Sequence, residues 1–374
     1  MKISGIKIPA GVTITAPAQD QTPTPTGPSK FVAGARSGNS NKGAAYIYST
    51  DGTGEVKITA SSGVSGDQFG WRVGISDTKV VVGARIVENQ KGAAYLYNLD
   101  GTGEQKIQAS DGAAGDRIGD SVAVSNTKVV IGASHQDDPQ THAGAVYIYN
   151  TDGTGELKIK PSDAHQSKKF GSTVAISDTK IAVGAGQDNP GSTKGAAYLY
   201  NLDGTGEVKI VPSDGVSGDN FCLTGIALSD TKIIGGAVSH NTNIGAAYVY
   251  NLDGTGEVKI APSDGVNGGF FGRSVAISDT HIVVSAPYVL NRTGSVYVYN
   301  LDGTGEQKIV ASDGASNDYF GFSVAIQGDK IIVGALGDDS NQGAVYIYNL
   351  DGTGEQKITA SDAVGGDRFG YSVA

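Results

Sequence analysis

Residues 115–159 read GDRIGDSVAVSNTKVVIGASHQDDPQTHAGAVYIYNTDGTGELKI, and turn residues divide this stretch into four short apolar runs. Strand A is predicted over Asp120–Ser125, strand B over Lys128–Ala133, strand C over Gly144–Asn150 and strand D over Glu156–Lys160. A tight Ser125-Asn126-Thr127 turn joins A to B. Asp152-Gly153 marks a hairpin between C and D, with Gly155 placed for a bulge. Strands A and B interleave apolar and small residues, as strands buried on both faces do. Strand D alternates Glu156, Lys158 and Lys160 with Leu157 and Ile159, and such charges on an outer strand discourage edge-to-edge pairing.

The same unit recurs along the chain. A Tyr-x-Tyr triplet starts at seven positions: Tyr46, Tyr95, Tyr147, Tyr198, Tyr248, Tyr297 and Tyr346. A hydrophobic-Gly pair follows each one 23 residues later, at Phe69, Ile118, Phe170, Phe221, Phe271, Phe320 and Phe369, with Cys222 replacing the glycine once. A period of 49–52 residues built from short strands lies in the range of propeller blades. The chain ends on Phe369-Gly370-Tyr371-Ser372-Val373-Ala374, which begins a strand A and stops. Lys30–Ala35 matches strand B elsewhere, and strands C and D follow at Gly43–Ser49 and Glu55–Thr59. The C-terminal strand A therefore joins N-terminal strands B, C and D. This predicts an all-β, seven-bladed β-propeller of four-stranded blades over residues 30–374, closed with no open end.

Composition agrees. Glycine is 56 of 374 residues, roughly twice the usual share, which disfavours a helical protein. The formal charge of −10 argues against a nucleic-acid partner. No apolar run is long enough to span a membrane, and no continuous apolar h-region opens the chain. Cys222 is the single cysteine, so no internal disulfide forms; a small buried residue is its expected role.

The repeats resemble the FG-GAP repeats of integrin α-subunit-like β-propellers. Phe-Gly is literal at Phe69-Gly70, Phe170-Gly171, Phe271-Gly272, Phe320-Gly321 and Phe369-Gly370, and Gly-Ala-x stands at Gly83-Ala84-Arg85 and Gly334-Ala335-Leu336. Ser285-Ala286-Pro287 alone keeps the proline. The resemblance implies an adhesive or interaction protein. Near-identical arrays of marine phages and bacteria are similar more weakly. Some blades of the family bind calcium between strands A and B, but Ser76-Asp77-Thr78 is too short for that cage, so those sites do not carry over.

Blade differences concentrate in the B–C loops. Strand B's alanine precedes the next Tyr-x-Tyr by 11 residues in five units, by 14 from Ala133 and by 13 from Ala185. One extra residue lies within Phe221–Ala237, where a strand A bulge is expected near Thr224-Gly225. The B–C and D–A loops share one face of a blade, and variable loops on a rigid scaffold suit recognition. The residues following the hydrophobic-Gly pairs enter the strand nearest the axis. Phe322, Tyr371 and Trp71 then become neighbours on consecutive blades, flanked by Arg273 and Asp120. These five are candidate ligand-binding residues for carbohydrate or another amphipathic ligand, the alternative being packing between blades. His135 and His142 share a B–C loop and join the candidates, although solvated loop histidines are the expectation for them and for His165 and His240.

Acid pairs in the D–A loops, such as Asp111 with Asp116, read as turn caps; weak calcium binding there is the alternative. No cofactor is expected. No catalytic set is found: H-E-x-x-H, G-x-S-x-G and a P-loop are all missing, and no enzyme activity is expected. Residues 1–29 lie outside the repeat. Ile3, Ile6 and Ile8 sit in a short apolar segment before a Pro-rich linker, and an assembly partner is expected to dock there by strand addition. The leading expectation is a non-enzymatic structural or recognition protein on a virion surface, anchored by this arm and facing a surface glycan or host receptor. A cell-surface or exported adhesin is the alternative, and a glycan-active enzyme the third class.

Overall fold

The structure is a computed structural model that describes residues 30–138 and 140–374. The arm, with the Ile3, Ile6 and Ile8 assembly segment and its linker, lies outside the described residues. Seven antiparallel four-stranded sheets form a closed ring. In chain order they are blade 1 (30–58 with 369–373), blade 2 (72–107), blade 3 (121–159), blade 4 (170–210), blade 5 (221–260), blade 6 (275–309) and blade 7 (320–358).

Closure runs as the sequence predicts. Strand A of blade 1 is Phe369–Val373, paired with Lys30–Ala35. Ala33 faces Val373, and Val32 and Ala374 exchange both backbone hydrogen bonds at 2.9 and 3.1 Å. Strands B and C are six residues long throughout, as in Lys79–Ala84 and Ala93–Asn98 of blade 2.

Strand D is shorter than predicted, Leu157–Ile159 in blade 3. The flanking Glu156 leaves the ladder because its carboxylate accepts from Ser110 of blade 2's D–A connection and from the Tyr149 hydroxyl. Strand A of the same blade is Ser121–Val124, trimmed at both ends. Asp120 is engaged by Arg85 and Ser134, and the Ser125 hydroxyl accepts from Lys128 N in the A–B turn. Blade 5 holds the expected bulge: the pairing jumps from Phe221–Ala237 to Ile226–Gly235.

The core lies between blades rather than inside any one. Val81, Leu96 and Ile107 of blade 2 pack on Val122, Ile131 and Tyr147 of blade 3, and the other junctions repeat the arrangement. The Tyr-x-Tyr and Phe-Gly markers meet within each blade: Phe69 sits edge-on to Tyr95 and Tyr97 at 5.4 and 6.1 Å. The glycine after Phe69 has φ +86°, and a Cβ there would lie 2.3 Å from the Ala44 carbonyl oxygen of the neighbouring blade. That close approach explains why the pair recurs.

Polar ties join the blades at their outer rims. The glutamate flanking strand D accepts from a serine of the preceding blade's D–A connection at all seven junctions, as Glu207 does from Ser162 N and Oγ at 3.0 and 2.6 Å. At six junctions an aspartate of that connection accepts from the first tyrosine of strand C and a strand D lysine, as Asp111 does from Tyr147 and Lys158. Ser62 stands at the aspartate's position in the seventh, and there Lys106 pairs with Glu88.

The reading of the D–A acids as turn caps is therefore half corrected. Asp116, Asp219, Asp318 and Asp367 cap turns by accepting a backbone N–H three residues earlier. Their partners Asp111, Asp214, Asp313 and Asp362 instead tie one blade to the next. The Asp-Gly-Thr-Gly hairpins are turn chemistry as expected, with Asp152 Oδ1 accepting from Thr154 N and Oγ1.

Candidate functional site

Each D–A connection threads between the B–C loops of two consecutive blades. Gly66 N donates to Asn41 O at 2.7 Å, and Ile86 N to Asp67 O at 3.4 Å. The B–C loops and D–A connections thus form a continuous hydrogen-bonded top face. Five B–C loops share one backbone. Each places three consecutive non-glycine residues in the left-handed region: 39–41, 88–90, 241–243, 290–292 and 339–341. These are the five loops of equal length. The carbonyl of the third or a neighbouring left-handed residue accepts from the next D–A connection, as Gln90 O does from Arg117 N at 2.9 Å. These bonds hold conformations that side chains other than Asn and Gly rarely adopt. The loops therefore vary in chemistry on a fixed backbone, whereas the longer loops of blades 3 and 4 depart from it.

The three predicted aromatic neighbours are brought together at the axis. Tyr371 lies 4.9 Å from Trp71 and 5.1 Å from Phe322, ring centre to ring centre. The line of rings continues outward through Tyr319, Tyr288 and Phe270, at steps of 6.4, 5.6 and 5.2 Å.

Guanidinium groups cover these rings. Arg85 stacks over Trp71 at 3.3 Å, Arg36 over Tyr371 at 4.5 Å and Arg273 over Phe322 at 4.4 Å. Arg72 stands 5.9 Å from the Trp71 ring. Such cation–π contacts fix the guanidinium planes while leaving N–H edges free.

Asp120 is the acid of this cluster. Its carboxylate accepts from Arg85 at 3.2 Å and from the Ser134 hydroxyl at 2.5 Å, and its carbonyl oxygen accepts from Trp71 Nε1 at 3.1 Å. Ser134 also meets His135 Nδ1 at 2.9 Å, and the His135 ring packs edge-on against His142 at 4.8 Å. Burial, with Arg117 at 3.2 Å from Nε2, holds the His135 imidazole down at about 4.

Solvated loop histidines were the expectation, and the structure corrects it. His165 is buried, His135 and His142 are partly buried, and partly buried His240 contacts Asp219 at 2.9 Å. Loop closure against the D–A connections buries these rings.

Below the rings lies the channel, whose upper part is a cavity of about 140 Å³ lined by Arg72, Arg273, Phe322 and a circle of hydroxyls. Several hydroxyls tie neighbouring blades: Ser121 donates to Gly171 O at 2.8 Å, Thr173 to Cys222 O at 2.7 Å and Ser323 to Gly370 O at 2.9 Å. The other mouth is acidic, carrying Asp77, Asp178, Asp230 and Asp279. Among the described residues no three His, Cys, Asp or Glu side chains are grouped to hold a metal ion.

Arg36, Arg72 and Arg85 escaped the sequence reading. Arg36 and Arg85 both follow Gly-Ala at the start of a B–C loop, and that shared position was the available signal.

Among solved structures, TolB from Acinetobacter baumannii is similar in fold, with a TM-score of 0.51 at 14% identity. The match covers 78% of this chain and 65% of the TolB chain. No curated protein shows significant sequence similarity to the chain. The FG-GAP repeat family matches at residues 53–97, 102–149, 154–200, 255–299, 304–348 and 353–374. Between 200 and 255, where it does not match, lies the blade with Cys222 and the strand A bulge. With the repeat matching blade after blade around a closed seven-bladed ring, the chain belongs to the FG-GAP repeat family.

Proposed function

We propose that this protein is a non-enzymatic recognition module that engages its ligand through the top face. The observation that carries the reading is the set of five B–C loops with one backbone and five different tips: Asn39-Ser40, Glu88-Asn89, Asn241-Thr242, Leu290-Asn291 and Asp339-Ser340. A rigid frame that varies only its exposed chemistry is suited to recognition. FG-GAP propellers are interaction folds, which supports the same reading.

The test is binding of the labelled propeller to particles and cells of its source. Changing the tip residues together is expected to abolish labelling. Changing Asp77, Asp178, Asp230 and Asp279 to asparagine on the opposite mouth is expected to leave it intact. Labelling that survives the tip changes refutes the reading.

The display site we propose is a virion surface, supported by the weaker resemblance to repeat arrays of marine phages; a cell-surface adhesin is the alternative. Antibody labelling in electron micrographs separates them, because the first requires label on assembled particles and the second on envelopes. Attachment through residues 1–29 belongs to the same proposal. It fails if a chain lacking them assembles as the full chain does.

A further inference from the structure

We propose that the axial end of the top face binds an acidic oligosaccharide, gripping its carboxylate or sulfate ester with Arg36, Arg72 and Arg273. This rests on the recognition reading and names the ligand class.

Four guanidiniums, those of Arg36, Arg72, Arg85 and Arg273, converge there against the single carboxylate of Asp120. Arg36, Arg72 and Arg85 all lie within 5.9 Å of the centre of one ring, that of Trp71. Among the described residues, Arg85 alone of the four has an acid partner. The side chains of Arg36, Arg72 and Arg273 make no hydrogen bond or ion pair among the described residues, and Arg36 Nε is buried without a partner. A protein of formal charge −10 has carboxylates to spare, yet it gathers like charges here and leaves three of the four guanidiniums without a protein partner among the described residues. Those edges match a planar or tetrahedral oxyanion, which takes two parallel N–H bonds from each fork. The cavity beneath, about 140 Å³, admits one small group rather than a polyanion.

The neighbourhood selects a saccharide over an acidic peptide. Asp120 supplies a carboxylate acceptor beside the guanidiniums, as hydroxyls adjoining an acid group require. Tyr319 and Tyr288 extend the site outward, and their hydroxyls make no hydrogen bond among the described residues. Rings with polar tips suit the mixed faces of sugars.

The experiment is calorimetric titration of the full chain with an oligogalacturonate, a sulfated galactan oligosaccharide, a neutral galactan oligosaccharide of equal length, polyglutamate and sodium sulfate. At least one acidic saccharide is expected to bind, with the stronger of the two identifying the acid group. The neutral oligosaccharide is expected to bind at least about tenfold more weakly, and Arg273→Gln to cost the acidic one about tenfold or more. Tyr319→Ala is expected to weaken the saccharide without altering binding of sulfate. Arg273→Lys, which keeps the charge and loses the fork, guards against a variant that fails to fold; it too is expected to weaken binding.

Equal binding of neutral and acidic sugars overturns the proposal. So do equal binding of polyglutamate, sulfate binding as tightly as the saccharide, arginine variants that change nothing, and no binding of either acidic sugar. If no probe binds while the propeller still labels its source surface through the loop tips, this inference fails and the recognition reading stands. If an acidic sugar binds while tip changes leave labelling intact, the reverse holds.

Discussion

Blade 5 carries two departures from the repeat that occupy one space. Cys222 replaces the glycine after Phe221 and is fully buried at φ +56°. Gly235 replaces the valine or isoleucine found at Val82, Ile131, Val183, Val284 and Val333. A Cβ on Gly235 would lie 2.2 Å from Cys222 Sγ and 2.6 Å from Phe221 Cε2. Gly235→Val alone must overpack the junction, at a cost of about 1–3 kcal/mol. Cys222→Gly alone loses a small buried side chain, on the order of 1–2 kcal/mol, and regains about 1 kcal/mol by relieving the left-handed conformation. Together the two changes restore the pattern of blades 2, 3, 4, 6 and 7, and the valine fills the space the thiol leaves. The expected coupling is therefore about 1–3 kcal/mol in favour of the double variant. Urea unfolding of all four proteins, with the slope unchanged, reads it. Additivity within about 0.5 kcal/mol, or a costless Gly235→Val, would refute the compensation.

Glu207→Ala should lower stability by about 1–3 kcal/mol, because it strands the buried Tyr200 hydroxyl and releases Ser162 of the preceding blade; the melting temperature reports it. Stability should fall in acid in two stages. His135 stays neutral in the fold down to about 4, whereas the unfolded chain protonates it near 6.5, so stability drops as pH falls through that window. Burial raises Asp163, but hydrogen bonds from Lys209 and Lys168 outweigh it and set the group at about 2, so a further loss follows as the carboxylate protonates below its unfolded value. Melting curves of His135→Asn should lack the first stage and keep the second. Burial pushes the Cys222 thiol up, so a thiol reagent should label the native protein no faster than it unfolds; immediate labelling would contradict the buried placement. Removing residues 369–374 strips strand A from blade 1 and should melt the protein at far lower temperature, as differential scanning would show.

Spacing alone made the ring legible. Repeat arithmetic places Phe322, Tyr371 and Trp71 at one position on consecutive blades, so their adjacency follows before any coordinates. Arg36 and Arg85 were harder, because they sit at loop bases and the rings they cover, Tyr371 and Trp71, lie in or next to a strand A that sequence spacing does not tie to the loop. The left-handed turns were hidden for a related reason. Glu88, Leu290 and Thr242 carry no local preference for positive φ, and the hydrogen bonds that hold these loops come from the D–A connection that follows. Equal loop length was the one trace of that shared backbone in the sequence. The histidines show the same limit: polar loop residues look solvated until the facing loop is known.

Closure of the ring by Phe369–Val373 has a consequence for how copies of this protein meet. The edge of Lys30–Ala35 selects a short strand by backbone pairing and a Phe-Gly plug. A second copy offers an identical strand. Self-closure and exchange between copies therefore draw on the same bonds and differ only in how often each strand encounters the slot. Dilution during refolding favours solitary rings, while crowding favours linked chains of rings that are locally indistinguishable from them. The preparation's concentration history, rather than any change in sequence, would then set the size of the particle in solution.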